Sequence, residues 1–467
     1  MRKNMVYNQI KVKFTSDLTK LKEDCMMKKI LSLVLAMCML LGLASFASAE
    51  ELPTLDQLTL GDNADLAADL VFAYHRTDRR ELLEGYVKQF QEIYPNVNIT
   101  YDLVTDYAEN ALLRVGTDNW TIMGIPTVAK DELPTYFVPF GAVDTLDEKY
   151  NFIDAWAFDG LAYGVPSTGN AQGIVFNKAV FEKAGVTELP KTPDDFIAAL
   201  RLIKENTDAI PLYTNYTAGW TMGTWDAYIG GSATGDADYM NQVLLHKENP
   251  FADNGDGTGP YAVYKILYDA VKEGLIEEDY TTTDWEGCKG MINRGEIGCM
   301  VLGSWAYSQM VEAGPNGDDI GYMSFPITID GKQYASAGAD YCFGINVKAT
   351  DDQKLAAMYY IKWLTEESGF AYSEGGVPID KNGEYPALYE AFAGIDMVAD
   401  SPALPGEETL LNDLNSESLL AINAGGNTKI QEIVEHAFNG DKDFDDIMAD
   451  WNEAWSDAQA ALNVEIK

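Results

Sequence analysis

The sequence predicts an α/β protein of two lobes, and three observations carry that expectation. Helical and strand periodicities alternate along most of the chain, a pattern that implies a mostly parallel sheet. Even without its first 49 residues, the 467-residue chain is too long for one ordinary core. At 47% hydrophobic residues, it has the apolar material to fill two.

Leu70-Val71-Phe72-Ala73-Tyr74 is a short apolar run and reads as the first strand. It breaks at His75-Arg76-Thr77-Asp78 and passes into helical spacing over 80–94, which Pro95-Asn96 ends. Residues 97–101 alternate as a second strand. Further on, 174–176 and 298–302 read as strands, and 193–205 and 351–365 as helices. Residues 443–462 form an acidic amphipathic helix, with Trp451 and Trp455 four apart and so on one core-facing side. The polar stretch 50–65 reads as an irregular arm. Asp253-Asn254-Gly255-Asp256-Gly257-Thr258-Gly259 is a turn-rich loop whose spacing does not fit the calcium-loop pattern.

The opening segment points to export. Lys28 and Lys29 precede an apolar run over 30–46, and Ala47-Ser48-Ala49 supplies the small-residue cleavage pattern. A signal peptide over 26–49, cleaved after Ala49, is expected. Cys38 follows Met37 rather than a small residue, so no lipid anchor is expected. Residues 1–25 are charged and polar, unlike a signal. Lys22-Glu23-Asp24 can be encoded by a purine-rich stretch resembling a ribosome-binding site, so translation is expected to start at Met26 or Met27.

The net charge is −40, and the leader itself is net positive, so the remainder is more acidic still. Such a surface argues against nucleic acid and anionic membranes, both polyanions. Beyond the leader stand three cysteines, Cys288, Cys299 and Cys342, an odd number that excludes a disulfide-stapled scaffold. A Cys288–Cys299 bridge stays open. The three histidines have no metal-type spacing. No nucleophile elbow, phosphate loop or dinucleotide fingerprint is present, and carboxylates are too abundant for any pair to signal catalysis. No cofactor is expected.

In α/β sheets, ligands bind at loops beyond the carboxyl ends of strands, which singles out His75, Arg76 and Asp78. Aromatics in turn-like contexts stand out as well: Trp220, Trp225 beside Asp226, Trp305 directly after a strand, and Tyr341 beside Asp340. A sugar ring has an apolar C–H face and a hydroxyl rim. It is held by flat aromatic platforms with Asp, Asn, Arg or His at the edge; Asn170 joins the candidates on this ground.

The order of motifs resembles the extracellular solute-binding proteins of family 1, the sugar-binding subunits of ABC importers, which include the maltodextrin-binding proteins. Tyr163-Gly164-Val165-Pro166 is followed by Val175-Phe176-Asn177-Lys178, then Gly230-Gly231-Ser232. Gly295-Glu296-Ile297-Gly298 leads into Gly303-Ser304-Trp305-Ala306. Lys348-Ala349, Trp363-Leu364-Thr365-Glu366-Glu367 and Gly375-Gly376-Val377-Pro378 complete the series. The resemblance implies a two-lobed periplasmic-binding-protein-like fold of type II, with ligand in a cleft between lobes joined by hinge segments. One lobe would take 66–167 plus 299–340, the other 168–298 plus 341–467. Trp305 matches a sugar-stacking Trp, Trp220 falls near a cleft aromatic, and His75 to Asp78 match the first ligand loop. Where relatives often carry an Asp before the run ending Ile125-Pro126, this chain has Thr121, with Trp120 before it.

The implied function is capture of a carbohydrate, an oligosaccharide, by a monomer that delivers it to a membrane permease and catalyses nothing. Two alternatives stay open. The same fold can bind a peptide, polyamine or oxyanion, for which Arg76 and Asp78 leave room. An extracellular glycoside hydrolase would use two of the many carboxylates.

Overall fold

The strands, in chain order, are β1 (Ala68–Tyr74), β2 (Val97–Leu103), β3 (Ile122–Gly124), β4 (Gly141–Ala142), β5 (Ala157–Phe158), β6 (Leu161–Ala162), β7 (Val165–Pro166), β8 (Gly169–Asn177), β9 (Ile210–Leu212), β10 (Ile297–Gly303), β11 (Ile320–Ser324), β12 (Tyr334–Ala339), β13 (Cys342–Ile345) and β14 (Asp396–Ala399). The computed structural model describes residues 52–105, 107–424 and 427–467. The leader, its cleavage site and the alternative starts lie outside the described residues.

Two sheets organise the chain. The first has strand order β2-β1-β3-β13-β7. The second has order β14-β12-β8-β10-β9, with β11 also paired to β8. A small sheet, β4-β6-β5, forms beside them in sequence. The strand expected over 174–176 is the core of β8, and the helix expected over 351–365 spans Asp351–Glu366, whereas the helix expected over 80–94 stops at Phe90 and the one expected over 443–462 spans Phe444–Ala461. That helix is well specified locally. Thr350 caps it with a Gln353 capping box, and Asp351 and Asp352 fill the positive first turn.

The expectation of mostly parallel sheets is corrected. Within the first sheet β1 runs parallel to β2 and β3, but β13 is antiparallel to β3 and β7. In the second, β8 is antiparallel to β10, β11 and β12. The cause is the way the chain changes sheets. It crosses once from β7 into β8 and returns from β12 into β13. Two crossings in opposite directions, side by side, must pair antiparallel. They are tied by Ser167 N–H to Tyr341 O (2.9 Å) and Asp340 N–H to Thr168 O (2.8 Å). A third pass meets them where Gly169 and Val377 exchange backbone hydrogen bonds at 2.9 and 2.7 Å.

The expected lobe segments are corrected by the same pairing. β10, β11 and β12 stay in the second sheet with β8, whereas β13 returns to the first. The Asp351–Glu366 helix also covers the first sheet: Tyr360 meets Phe72 of β1 edge-on at 6.3 Å and Phe90 at 5.0 Å. The boundary drawn at 299 fails because β10, buried along all seven residues, needs a strand on each side, and β8 and β9 supply them. Leu200, Ile266, Ile433 and Trp455, from four helices, fill the core beside the second sheet. Trp451 and Trp455 both lie in that core. Cys288, Cys299 and Cys342 are free, buried thiols, so the Cys288–Cys299 bridge is not formed. In the turn-rich loop, Asp253 and Asp256 accept from the amides of Gly255 and Thr258, at 2.8 and 3.0 Å.

Candidate functional site

β1 ends at Tyr74, so His75 begins the loop at the carboxyl end of the first sheet. Its imidazole lies 4.5 Å from the Tyr341 ring and 6.0 Å from that of Tyr107. Tyr107 is pinned by its hydroxyl, which donates to Gly124 O at 2.7 Å and to Ala73 O at 3.1 Å. Tyr341 leaves the β12–β13 crossing, where its amide donates to the Asp340 carboxylate at 2.7 Å. Burial drives His75 down to about 4, outweighing the opposite pull of Asp340. At neutral pH the ring is uncharged and offers one donor and one acceptor. Its Nδ1 is buried without a hydrogen-bond partner.

Asn170 stands across the crossing, on β8, 6% exposed. Its Oδ1 also has no partner. It faces Gly338 in register, and a Cβ at Gly338 would meet nothing within 4 Å. Open space therefore adjoins an unpaired acceptor at the point where the two sheets join. Buried polar atoms are rarely left unpaired, so His75 Nδ1 and Asn170 Oδ1 are candidate contacts for water or ligand.

The second wall is aromatic. Trp220, Trp285 and Trp305 form a triangle with ring centres 5.0, 5.6 and 5.8 Å apart. Trp305 opens the Trp305–Glu312 helix directly after β10. Its indole folds back over Gly303, where a Cβ would come within 2.6 Å of its Nε1, so only glycine fits. Trp220 follows Gly219, whose φ of +66° suits glycine, and is 44% exposed. Trp285 starts the Trp285–Asn293 helix, capped by the Asp284 carboxylate. Lys289, one turn on, lies 4.8 Å from its ring centre. Trp285 was not among the residues singled out in the sequence; its place at N1 of a helix is the signal that could have found it.

Arg76 and Asp78 form a two-pronged ion pair, both contacts 3.0 Å, and Arg76 also contacts Glu374. Asp340 and Tyr341 lie in the crossing itself. Two expected site residues are corrected. Trp225 is 2% exposed and packs near Tyr228 and Phe325 in the core. Asp226 is fully buried, accepting from Lys429 at 2.6 Å, Tyr264 Oη at 2.7 Å and Asn423 N–H at 2.8 Å. The tight turn over Thr224–Tyr228 points both inward, away from Trp220. Trp120 and Thr121 are buried too; the Thr121 hydroxyl accepts from the Val71 amide at 3.2 Å. Among the described residues no cluster of metal-ligating side chains occurs.

The groups present suit a neutral, hydroxyl-rich ligand: the aromatic faces of the three tryptophans, and two uncharged polar atoms without partners, His75 Nδ1 and Asn170 Oδ1. A family model described as bacterial extracellular solute-binding protein matches residues 76–369. A manno-oligosaccharide specific solute binding protein of Bifidobacterium animalis subsp. lactis, solved with mannotriose, is 46% identical, with a TM-score of 0.85 over 88% of this chain and 99% of its own. A second ABC-transporter binding protein from that organism, solved with mannobiose, matches with the same identity, TM-score and coverage. The multiple sugar-binding protein of Streptococcus mutans is 24% identical over 244 residues, half of this chain and 55% of that relative's length. A match that begins inside the His75–Asp78 loop and runs through both crossings places this chain among the bacterial extracellular solute-binding proteins.

Proposed function

We propose that this protein is the sugar receptor of an ABC importer and captures manno-oligosaccharides in the cleft between its two sheets. The observation that carries the reading is the tryptophan triangle on one side of the crossing, with unpaired His75 Nδ1 and Asn170 Oδ1 at it. The names of the Bifidobacterium relatives support mannose as the sugar. Micromolar capture requires about −8 kcal/mol. Stacking at about 1 kcal/mol per platform beyond area burial, and hydrogen bonds at about 1 kcal/mol each, reach that with a handful of contacts.

The mechanism is conformational. The lobes sample closure about the crossings, and a ligand touching both walls stabilises the closed form. The closed monomer then docks on a membrane permease and releases its sugar unchanged. Export removes a signal peptide after Ala49 without lipid attachment, so amino-terminal sequencing of secreted protein should begin at Glu50.

Titration calorimetry with mannotriose, chitotriose and raffinose tests the reading; mannotriose should bind tightest. Trp305→Ala should weaken mannotriose binding at least tenfold while leaving the melting temperature nearly unchanged. Unaltered affinity would show Trp305 to be packing. Shortened sugar products after incubation would sink the receptor reading in favour of hydrolysis.

A further inference from the structure

Arg76 and Asp78 lie in the loop after β1, yet their charges are taken up by neighbours. Arg76 pairs with Asp78 through two contacts of 3.0 Å, and with Glu374. Arg79 joins the same network: its Nε stands 3.7 Å from Asp78 Oδ2 and 3.8 Å from Glu374 Oε1. All four residues belong to the first side of the molecule. Three of them follow β1 directly. Glu374 follows Phe370, whose ring lies 5.7 Å from that of Tyr86, and Ser373, whose Oγ is 2.8 Å from the Tyr86 hydroxyl. Two cations and two carboxylates balance there.

A fifth charge reaches in from the other side. Glu312 ends the Trp305–Glu312 helix, whose Ala306 and Met310 share a core with Met300 and Leu302 of β10. Its carboxylate oxygens meet the two terminal nitrogens of Arg79 at 3.0 and 3.3 Å. Arg79 thus has its Nε edge against the carboxylates of its own side and its fork turned across to the other. A guanidinium held in advance loses little freedom when it meets a carboxylate, and a forked pair is the stronger geometry.

The helix that carries Glu312 acts as a lever. Its start is tied to the crossing, where Ser304 Oγ accepts from the Ala171 amide at 3.1 Å, two residues beyond Gly169. Midway, the Ser308 hydroxyl donates to Glu374 O at 3.4 Å. At about 1.5 Å per residue, Glu312 stands about 10 Å along the axis from Trp305. Rotation of the second sheet about the crossings therefore moves Glu312 and leaves Arg79 in place. The movement that carries Trp305 towards His75 carries Glu312 towards Arg79, four residues on from His75.

We propose that Arg79 and Glu312 form a catch that holds the two lobes together, with Arg76, Asp78 and Glu374 as the frame that aims Arg79. These are positioning residues for capture and act without touching the sugar. The inference rests on the receptor reading above for its ligand, and adds to it what keeps the lobes shut. Its test is calorimetry of the full chain with mannotriose for wild type, Glu312→Gln and Glu312→Lys, at low salt and at about 1 M sodium chloride, where charges are screened beyond about 3 Å. Mannotriose is uncharged, so salt acts on its capture only through charges of the protein. At low salt Glu312→Gln should weaken binding about threefold, the weight of an exposed ion pair, and the like charge of Glu312→Lys about tenfold. At high salt both losses should shrink to less than about twofold. The Glu312 side chain is 56% exposed, so both variants should fold, and melting curves check this. Wild-type affinity in Glu312→Lys overturns the catch, and so does a loss that salt leaves unchanged, which would mean packing rather than charge. Small-angle scattering gives a readout that needs no sugar: Glu312→Lys should have a larger radius of gyration than wild type. If wild type binds no mannotriose, the sugar reading fails and the radius alone decides: a larger one supports the catch, and equal radii overturn it.

Discussion

Burial holds the His75 imidazole at about 4, against an ordinary 6.5, even with Asp340 nearby. The folded ring refuses a proton that the unfolded chain accepts below 6.5. Stability should therefore fall as pH drops from 6.5 to 4, and His75 should add nothing further below that. His75→Gln should make the melting temperature less steep across that window, by calorimetric scans at half-unit intervals. Matching slopes for variant and wild type would mean that the ring is hydrated and titrates normally. At this scale the sequence was readable for residue type and less so for direction. Trp220 and Trp225 stand in the same Gly-rich run and look equivalent in sequence, yet one is 44% and the other 2% exposed. Which side of a turn faces solvent depends on what packs beneath it, and that is supplied by Phe325, a hundred residues on.

Elements with local signals were the most legible. The Asp351–Glu366 helix carries its cap and its first-turn acids in sequence, and the Pro193–Asn206 helix has Thr192 as cap and Pro193 at its first turn. The short turns at Trp220–Gly223 and Thr224–Tyr228 have no such markers and are held from outside. Asp226 anchors the second of them to the Thr428–Asn439 helix through Lys429. Asp226→Ala removes the carboxylate opposite a buried ammonium, a loss of about 3–5 kcal/mol. Chemical denaturation should show that loss, while the folded fraction binds sugar with wild-type affinity. A drop in affinity with full stability would return Asp226 to the binding site.

At the scale of the whole molecule, Gly169 is the point where all three passes meet. It pairs with Ala339 and exchanges hydrogen bonds with Val377. Phe152, in the left-handed region at φ +57°, lays its ring against it. That conformation costs a bulky residue of order 1–3 kcal/mol and persists only where packing enforces it. A Cβ at position 169 would stand 2.3 Å from Phe152 Cε2 and 3.0 Å from Val377 Cβ. Gly169→Ala should overpack the pivot by about 1–3 kcal/mol. Mannotriose binding should weaken about tenfold or more, and the ligand-induced decrease in radius of gyration by small-angle scattering should shrink. Closure equal to wild type would remove Gly169 from the hinge.

The sequence by itself determined the α/β class, the long helices and strands with strong periodicity, and the family resemblance, and it singled out His75, Trp220 and Trp305 as candidates. These follow from periodicity, capping and local turn chemistry, which a residue and its near neighbours carry. Only the tertiary structure decided that β10 to β12 stay with β8 while β13 returns to the first sheet, that Trp225 and Asp226 turn inward, and that Trp285 completes the aromatic wall. Strand partnership is a long-range choice between apolar runs of similar composition. Its outcome rests on which crossings can run side by side, a constraint between residues as distant as Gly169, Ala339 and Val377.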